Sequence, residues 1–264
     1  MVVRRFPLLV LALVIAGSAV LGAQNFMRRS RAPLREPTPE SFDGGFTFCR
    51  GMYTAVRRNP SGAGWTTDYP DADINFSIRL SELTKTRVSK RPDGEPNHLT
   101  VRLTDENLFN CPYLHMEDMG AAQFTDEEVV RLREYLLKGG FLWVDDFWGH
   151  LEWEYWVEQI SRVLPPKEYP IFDLKSDHAL FHTQYPIKGV PQIPSIRVWR
   201  PGGSTSEYGD DSVEVHGRGI SDKAGRLMVF MTHNTDIDDA WEREERILDT
   251  FSSSGPMDTR SASM

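Results

Sequence analysis

The chain has 264 residues, 40% of them hydrophobic and 26% charged, which is a globular composition with room for one sizeable domain or two small ones. A formal net charge of -8 excludes a nucleic-acid surface, because phosphate binding relies on clustered Lys and Arg. Partners are therefore sought among small polar molecules and proteins.

The N-terminus opens with Arg4 and Arg5, continues as an apolar run from Phe6 to Leu21 and ends in the small residues Gly22 and Ala23. This order predicts an export segment over 1–23, either cleaved or kept as an anchor, and a periplasmic or cell-envelope location with membrane contact only there. The Arg-, Pro- and Ser-rich stretch 24–43 reads as a linker, 44–251 as a single domain, and the Ser-rich tail 252–264 as disordered. Export permits a bond between the two cysteines, Cys49 and Cys111. Two buried thiols on neighbouring strands is the simpler expectation, since a large core needs no staple.

Within the domain, FTFCRGMY (46–53) alternates Phe46, Phe48 and Arg50 against Thr47 and Cys49, as a strand does. A Gly- and Pro-containing loop follows, and then INFSIRLSELTKTR, whose Ile74, Ile78 and Leu83 fall at helical spacing. LTVRL (99–103) and LFNCPYLHM (108–116) read as strands. Thr125 with Glu128 forms a capping box before the stripe Val129, Leu132, Leu136 and Leu137, and Lys138 with Gly139 closes that helix. FLWV (141–144) has the continuous apolar character of a strand covered on both faces. Residues 150–164 return to helical spacing, with Trp153 and Trp156 as packing residues. Beyond them YPIFDL, IRVW, SVEVHGRGI and RLMVFMTH are strand-like, the last two joined by the turn SDKAG, and WEREERILDTF is a short helix. Strands alternating with helices at short spacing predict an α/β fold with a doubly wound, mostly parallel sheet, gaining antiparallel strands toward the C-terminus.

In such a sheet ligands bind at the carboxyl ends of the strands, near the point where strand order reverses. Asp145 and Asp146 end one strand, while His115, Glu117 and Asp118 end the preceding one. A parallel RLMVFMTH would bring Asn234 and Asp236 to the same edge, with His178 and His182 nearby. Trp65, in the glycine-bearing loop with Gly62 and Gly64, is the aromatic candidate for touching a ligand. Asp, His and Asn together suit a hard cation held through oxygens, or a water placed between an acid and a base. Several of these residues also have plain structural roles open to them: an Asp at a strand-to-helix corner commonly caps the helix that follows. Neither cysteine sits where a nucleophile would.

The order FTFCRGMY, GWTTDYP, NLFNCPYLHMEDMG, TDEEVVRLREYLLKGGFLWVDD, DHALFH and GRLMVFMTHNTDIDDAWE resembles the bacterial domain-of-unknown-function family numbered 4159 over nearly all of the mature chain. The resemblance implies a class I glutamine amidotransferase-like, or flavodoxin-like, fold and an exported protein. It implies no reaction, and without a cysteine at the nucleophile elbow glutamine hydrolysis is not expected. Longer members carry membrane-spanning regions and occur with envelope-associated proteins. The function expected first is a binding domain for a small polar or carbohydrate-like ligand, using Trp65, His115, Asp118, Asp145, Asp146, His178, Asn234 and Asp236. One alternative is a metal-assisted hydrolase in which Asp145, Asp146 and Asp236 hold a divalent cation and His178 moves a proton. Another is a scaffold for envelope proteins.

Overall fold

The computed structural model describes residues 33–57, 62–199 and 203–243. The chain divides into two units between Leu34 and Arg35, and the fold described below is that of the second, from Arg35 onward. The expected export segment 1–23, the first part of the linker, the tail 252–264 and most of WEREERILDTF lie outside the described residues. Among those described, no helix is long and apolar enough to cross a membrane. The second part of the expected linker is tied to the fold: Thr100 N donates to Arg35 O at 2.9 Å, and Arg35 pairs with Glu95.

Among the described residues nine strands form, namely β1 (Phe48–Met52), β2 (Thr54–Ala55), β3 (His98–Arg102), β4 (Tyr113–Glu117), β5 (Ala122–Gln123), β6 (Phe141–Asp145), β7 (Ile171–Asp173), β8 (His216–Ser221) and β9 (Leu227–His233). The helices are α1 (Asp71–Leu83), α2 (Asp126–Leu137), α3 (Gly149–Val163) and α4 (Asp238–Glu242). Seven strands make one sheet in the order β3-β1-β4-β6-β9-β8-β7. Neighbours from β3 to β9 are parallel, whereas β8 runs antiparallel to both β9 and β7, so the expected mixed sheet is present. β2 and β5 pair separately. Connections from β1 lead one way, to β3, and those from β4 lead the other, to β6 and β9, so strand order reverses between β1 and β4.

Alternation along the strands divides the sheet into two buried faces. Leu114 and Met116 of β4 and Leu142 and Val144 of β6 enter the main core with Leu132 and Leu136 of α2 and Trp156, Ile160 and Val163 of α3. On the other face Phe48, Tyr113 and Trp143 meet Phe76 of α1, which also packs edge-on against Trp241 of α4. The α2 cap forms as its sequence predicts: Thr125 Oγ1 accepts from Glu128 N at 3.2 Å, and Glu128 Oε2 accepts from Thr125 N at 2.8 Å.

Several local expectations need correction. α1 begins at Asp71, and it buries Ala72, Asp73, Asn75 and Ser77 where the apolar spacing favoured Ile74, Ile78 and Leu83. Its contact face is polar because Asp73 meets a buried arginine of β1. LFNC is a 3-10 turn, Glu106–Asn110, and the strand starts only after Pro112, which has no amide to give to a ladder. IRVW is a turn, with Val198 and Trp199 both donating to Ser195 O. SVEV ends a short 3-10 helix, and β8 begins at His216.

Cys49 and Cys111 form a disulfide across 62 residues of sequence, joining β1 to the approach of β4, where two thiols were the simpler expectation. Replacing both by Ala should lower the unfolding free energy by about 4 kcal/mol, from loop-closure entropy over a separation of 62 residues. Urea unfolding of the oxidised parent and the double variant checks this; equal midpoints would mean the bond adds nothing.

Candidate functional site

Strand register determines which side chains meet at the carboxyl edge. Arg50 pairs with His115 across β1 and β4, and Glu117 pairs with Asp145 across β4 and β6. All four are buried on the face covered by α1 and α4. The residue just past each of β4, β6 and β9 (Asp118, Asp146 and Asn234) has positive φ, at 53°, 51° and 63°. Asp68, in the loop beyond β1 and β2, does too, at 57°. Asp and Asn are the non-glycine residues that tolerate this region best, so the recurrence of these types beyond the strands has a backbone cause.

Arg50 is fully buried. Its Nε and Nη2 donate to Asp73 Oδ1 at 2.8 and 2.5 Å, Nη2 also donates to Asp238 Oδ2 at 2.8 Å, and Nη1 donates to Thr67 O at 3.0 Å. His115 Nε2 lies 2.5 Å from Glu117 Oε1 and 3.0 Å from Asp238 Oδ2, and its Nδ1 is 3.1 Å from the Tyr113 hydroxyl. Burial works against the charge of Asp238, yet His115 and then Arg50 hold its carboxyl below the ordinary value. One guanidinium thereby joins β1, α1, α4 and, through Asp238, β4.

The two aspartates of FLWVDD have separate duties, and neither caps α3. The first-turn amides there go elsewhere: Trp148 N to Glu152 Oε2, Gly149 N to Asn234 Oδ1 and His150 N to Asp211 Oδ2, at 2.7, 2.8 and 3.1 Å. Asp145 accepts from the amides of Ile237 and Asp238 at 2.5 and 3.2 Å, so it caps α4, nearly a hundred residues on, and its other oxygen accepts from the Thr232 hydroxyl. Asp146 accepts from Trp148 Nε1 at 2.9 Å through Oδ1, while its buried Oδ2 has no hydrogen-bond partner. The same holds for Glu117 Oε2.

Of the residues expected at the edge, His115, Asp118, Asp145, Asp146, Asn234 and Asp236 are all buried there. Asn234 is occupied structurally, donating to Glu214 O at 2.6 Å while it holds Gly149 N. Trp65 is half-buried, edge-on to Tyr69, and its loop is drawn in by Gly64 N donating to Asp118 Oδ2 at 2.8 Å. A Cβ at Gly62 would lie 2.2 Å from Asp118 Oδ2, which is why that position has no side chain. His178 caps the short 3-10 helix Ala179–His182, its Nδ1 accepting from Leu180 N. Sequence reasoning missed Arg50, Asp73 and Asp238 as site residues. Arg50 did leave a signal, a charge on the same strand face as Phe46 and Phe48.

Acids at this edge far outnumber cations. Burial is the main cause that pushes Glu117, Asp145, Asp146 and Asp236 well above ordinary carboxyl values, and in each case neighbouring carboxylates add to it. Asp68 rises to about 7 for the same reasons. Among the described residues three groups have donor atoms within 4.8 Å of one another: His115, Glu117 and Asp238; Asp68, Asp239 and Glu242; and Glu117, Asp145 and Asp236.

A family model described as Domain of unknown function (DUF4159) matches residues 53–263. The chain belongs to this family. The DUF4159 match takes in β2 onward and so includes every acid of the edge, while Arg50 and the whole of β1 precede it. No curated protein matches the chain.

Two outcomes follow from this electrostatic arrangement. Arg50→Met should lose roughly 3–5 kcal/mol of stability, because Asp73 and Asp238 would remain buried without their cation; an unchanged denaturation midpoint would contradict the network. Asp68 has a folded-state pKa of about 7 against 3.8 for the free group, so its folded form binds the extra proton and stability falls as pH rises between those values. Asp68→Asn should therefore stabilise the protein at pH 8, on the order of 2 kcal/mol, and not below about pH 4. Equal shifts at both pH values in thermal unfolding would refute this assignment.

Proposed function

We propose that this protein is an exported, non-catalytic binding domain with a flavodoxin-like sheet, and that the carboxyl edge of β4, β6 and β9 takes a small, positively charged ligand. The buried carboxylate oxygens without a partner, Glu117 Oε2 and Asp146 Oδ2, carry the reading. A buried polar atom is ordinarily satisfied, and an unpaired one in a low-dielectric interior is costly. Among the described residues no Arg or Lys forms an ion pair with Glu117, Asp145, Asp146 or Asp236. A cation beside these carboxyls would give the unpartnered oxygens a partner and favour the ionised form that burial disfavours. A neutral sugar would leave that imbalance in place, and the edge is closed by α4, whose first amides are bound to Asp145.

The parallel strands, renumbered in chain order, run 2-1-3-4-5, the flavodoxin-like order in which ligands gather at the carboxyl edge. Export is supported by the basic-then-apolar start of the chain and by the disulfide, a bond at home outside the cytoplasm. A hydrolytic step would need a mobile proton carrier beside Asp145, and His178 is engaged instead at its own 3-10 helix.

Thermal shift on the chelator-treated full chain tests the reading. Probes are divalent metal chlorides and small amines such as lysine and spermidine, with sodium chloride at matched ionic strength and glucose as controls. At least one cationic probe should raise the melting temperature by several degrees, as expected for ligand at about a hundred times its Kd, and glucose should not. A shift with glucose alone, or with none of the cations, would overturn it.

A further inference from the structure

We propose that Glu117, Asp145 and Asp236 form a site for one hard divalent cation, of the calcium, magnesium or manganese kind. This rests on the cationic-ligand reading above and narrows it to a metal ion.

The three carboxyls arrive from three places in the chain. Glu117 ends β4, Asp145 ends the adjacent β6 in direct register with it, and Asp236 lies just beyond β9. Their donor atoms lie within 4.8 Å of one another. That is the span of two oxygens on opposite sides of an ion with bonds of about 2.4 Å. All three groups are buried, with Glu117 and Asp145 at 0% exposure.

The oxygens retain the lone pairs a metal would use. Glu117 Oε1 is committed to His115 at 2.5 Å, which leaves Oε2, buried and without a partner. Asp145 Oδ1 accepts from the Thr232 hydroxyl, and its Oδ2 takes the amides of Ile237 and Asp238; a carboxylate oxygen with one such bond has a second lone pair to offer. Asp236 uses Oδ1 for Asp239 N at 2.9 Å. Asp146 stands close enough to Asp236 to raise its pKa, and its unpartnered Oδ2 suits a bond to a metal-bound water.

The other two acidic groups already contain their counter-charge. In the first, Arg50 binds Asp238 at 2.8 Å. In the second, Arg243 pairs with Asp239. Among the described residues no guanidinium is bonded to Glu117, Asp145 or Asp236; Arg50 and Arg243 act on Glu117 and Asp236 only from a distance. An all-oxygen donor set favours hard ions over zinc, which prefers nitrogen and sulfur, and the nearest imidazole, His115, has Nε2 turned to Asp238 and Glu117. An alkylammonium would also need space for its carbon stem at an edge sealed by α4.

The test is calorimetric titration of the chelator-stripped full chain with calcium, magnesium or manganese chloride alone. One ion per chain is expected for at least one of the three. Glu117→Gln and Asp236→Asn should each weaken it at least tenfold, and Asp222→Asn, in the β8–β9 turn, should not. Circular dichroism confirms folding of each variant. Independently of any variant, manganese should broaden the amide resonances of Ile237 and Asp238 before those of Ala224 and Gly225. Absence of binding by all three ions, unchanged affinity in both carboxyl variants, or broadening centred elsewhere would overturn the site. If amines raise the melting temperature while metals neither bind nor stabilise, the metal site falls and the cationic-ligand reading stands. If neither acts, both fall.

Discussion

Arg50 has no solvent-exposed surface, and its guanidinium is bonded to Asp73 and Asp238. An ion in that position has lost hydration that a low-dielectric interior restores only through close, fully hydrogen-bonded partners. Those partners come from α1 and α4, and the Thr67 carbonyl comes from the loop that carries Trp65. One side chain consequently fixes where three distant segments lie on the sheet. This explains why α1 presents Asp73, Asn75 and Ser77 to the interior: the helix is positioned by an ion pair, with Phe76 supplying the apolar contact beside it.

Asp238 passes the constraint along. It meets His115 on β4, and its amide, with that of Ile237, is bound by Asp145 on β6. α4 has only five residues and would not hold its shape unaided. Its order is borrowed from the strand ends beneath it, and in return it keeps water away from them. Dehydration is the main cause that raises Glu117, Asp145 and Asp236. Closure and acid surplus are therefore a single arrangement. The raised carboxyl values would not survive exposure, since hydrated carboxylates would return to their ordinary range.

The sequence made much of this legible. Continuous apolar FLWV between helical patterns marked a central parallel strand, the Thr125–Glu128 box placed the start of α2 to the residue, and the acids past the strand ends do lie together at the carboxyl edge of the sheet. What stayed hidden depended on long-range pairing. Asp145 looked like a cap for α3, and its amide partners lie at 237 and 238, which no local pattern links to 145. IRVW had strand composition, but Pro191 and Pro194 precede it and Ser195 O holds it as a turn. The cysteines gave no spacing signal because a disulfide between strands is defined by register, and register is a tertiary property.

In an open parallel sheet the crevice at the reversal of strand order is where a ligand normally inserts, and here that crevice lies between β1 and β4. The protein's own side chains fill it: Arg50 and His115 sit in register across it, and Asp238 closes it from above. Positive charge at the reversal point is thus supplied internally, by Arg50. The imbalance lies one strand further on, where Glu117 faces Asp145 in register and Asp236 approaches from β9. The surplus of acids thus lies away from the crevice itself, on the β4–β6–β9 side. There β4 and β6 end in Glu117 and Asp145, and the left-handed turns at Asp118 and Asp146 hold two further carboxyls beside them.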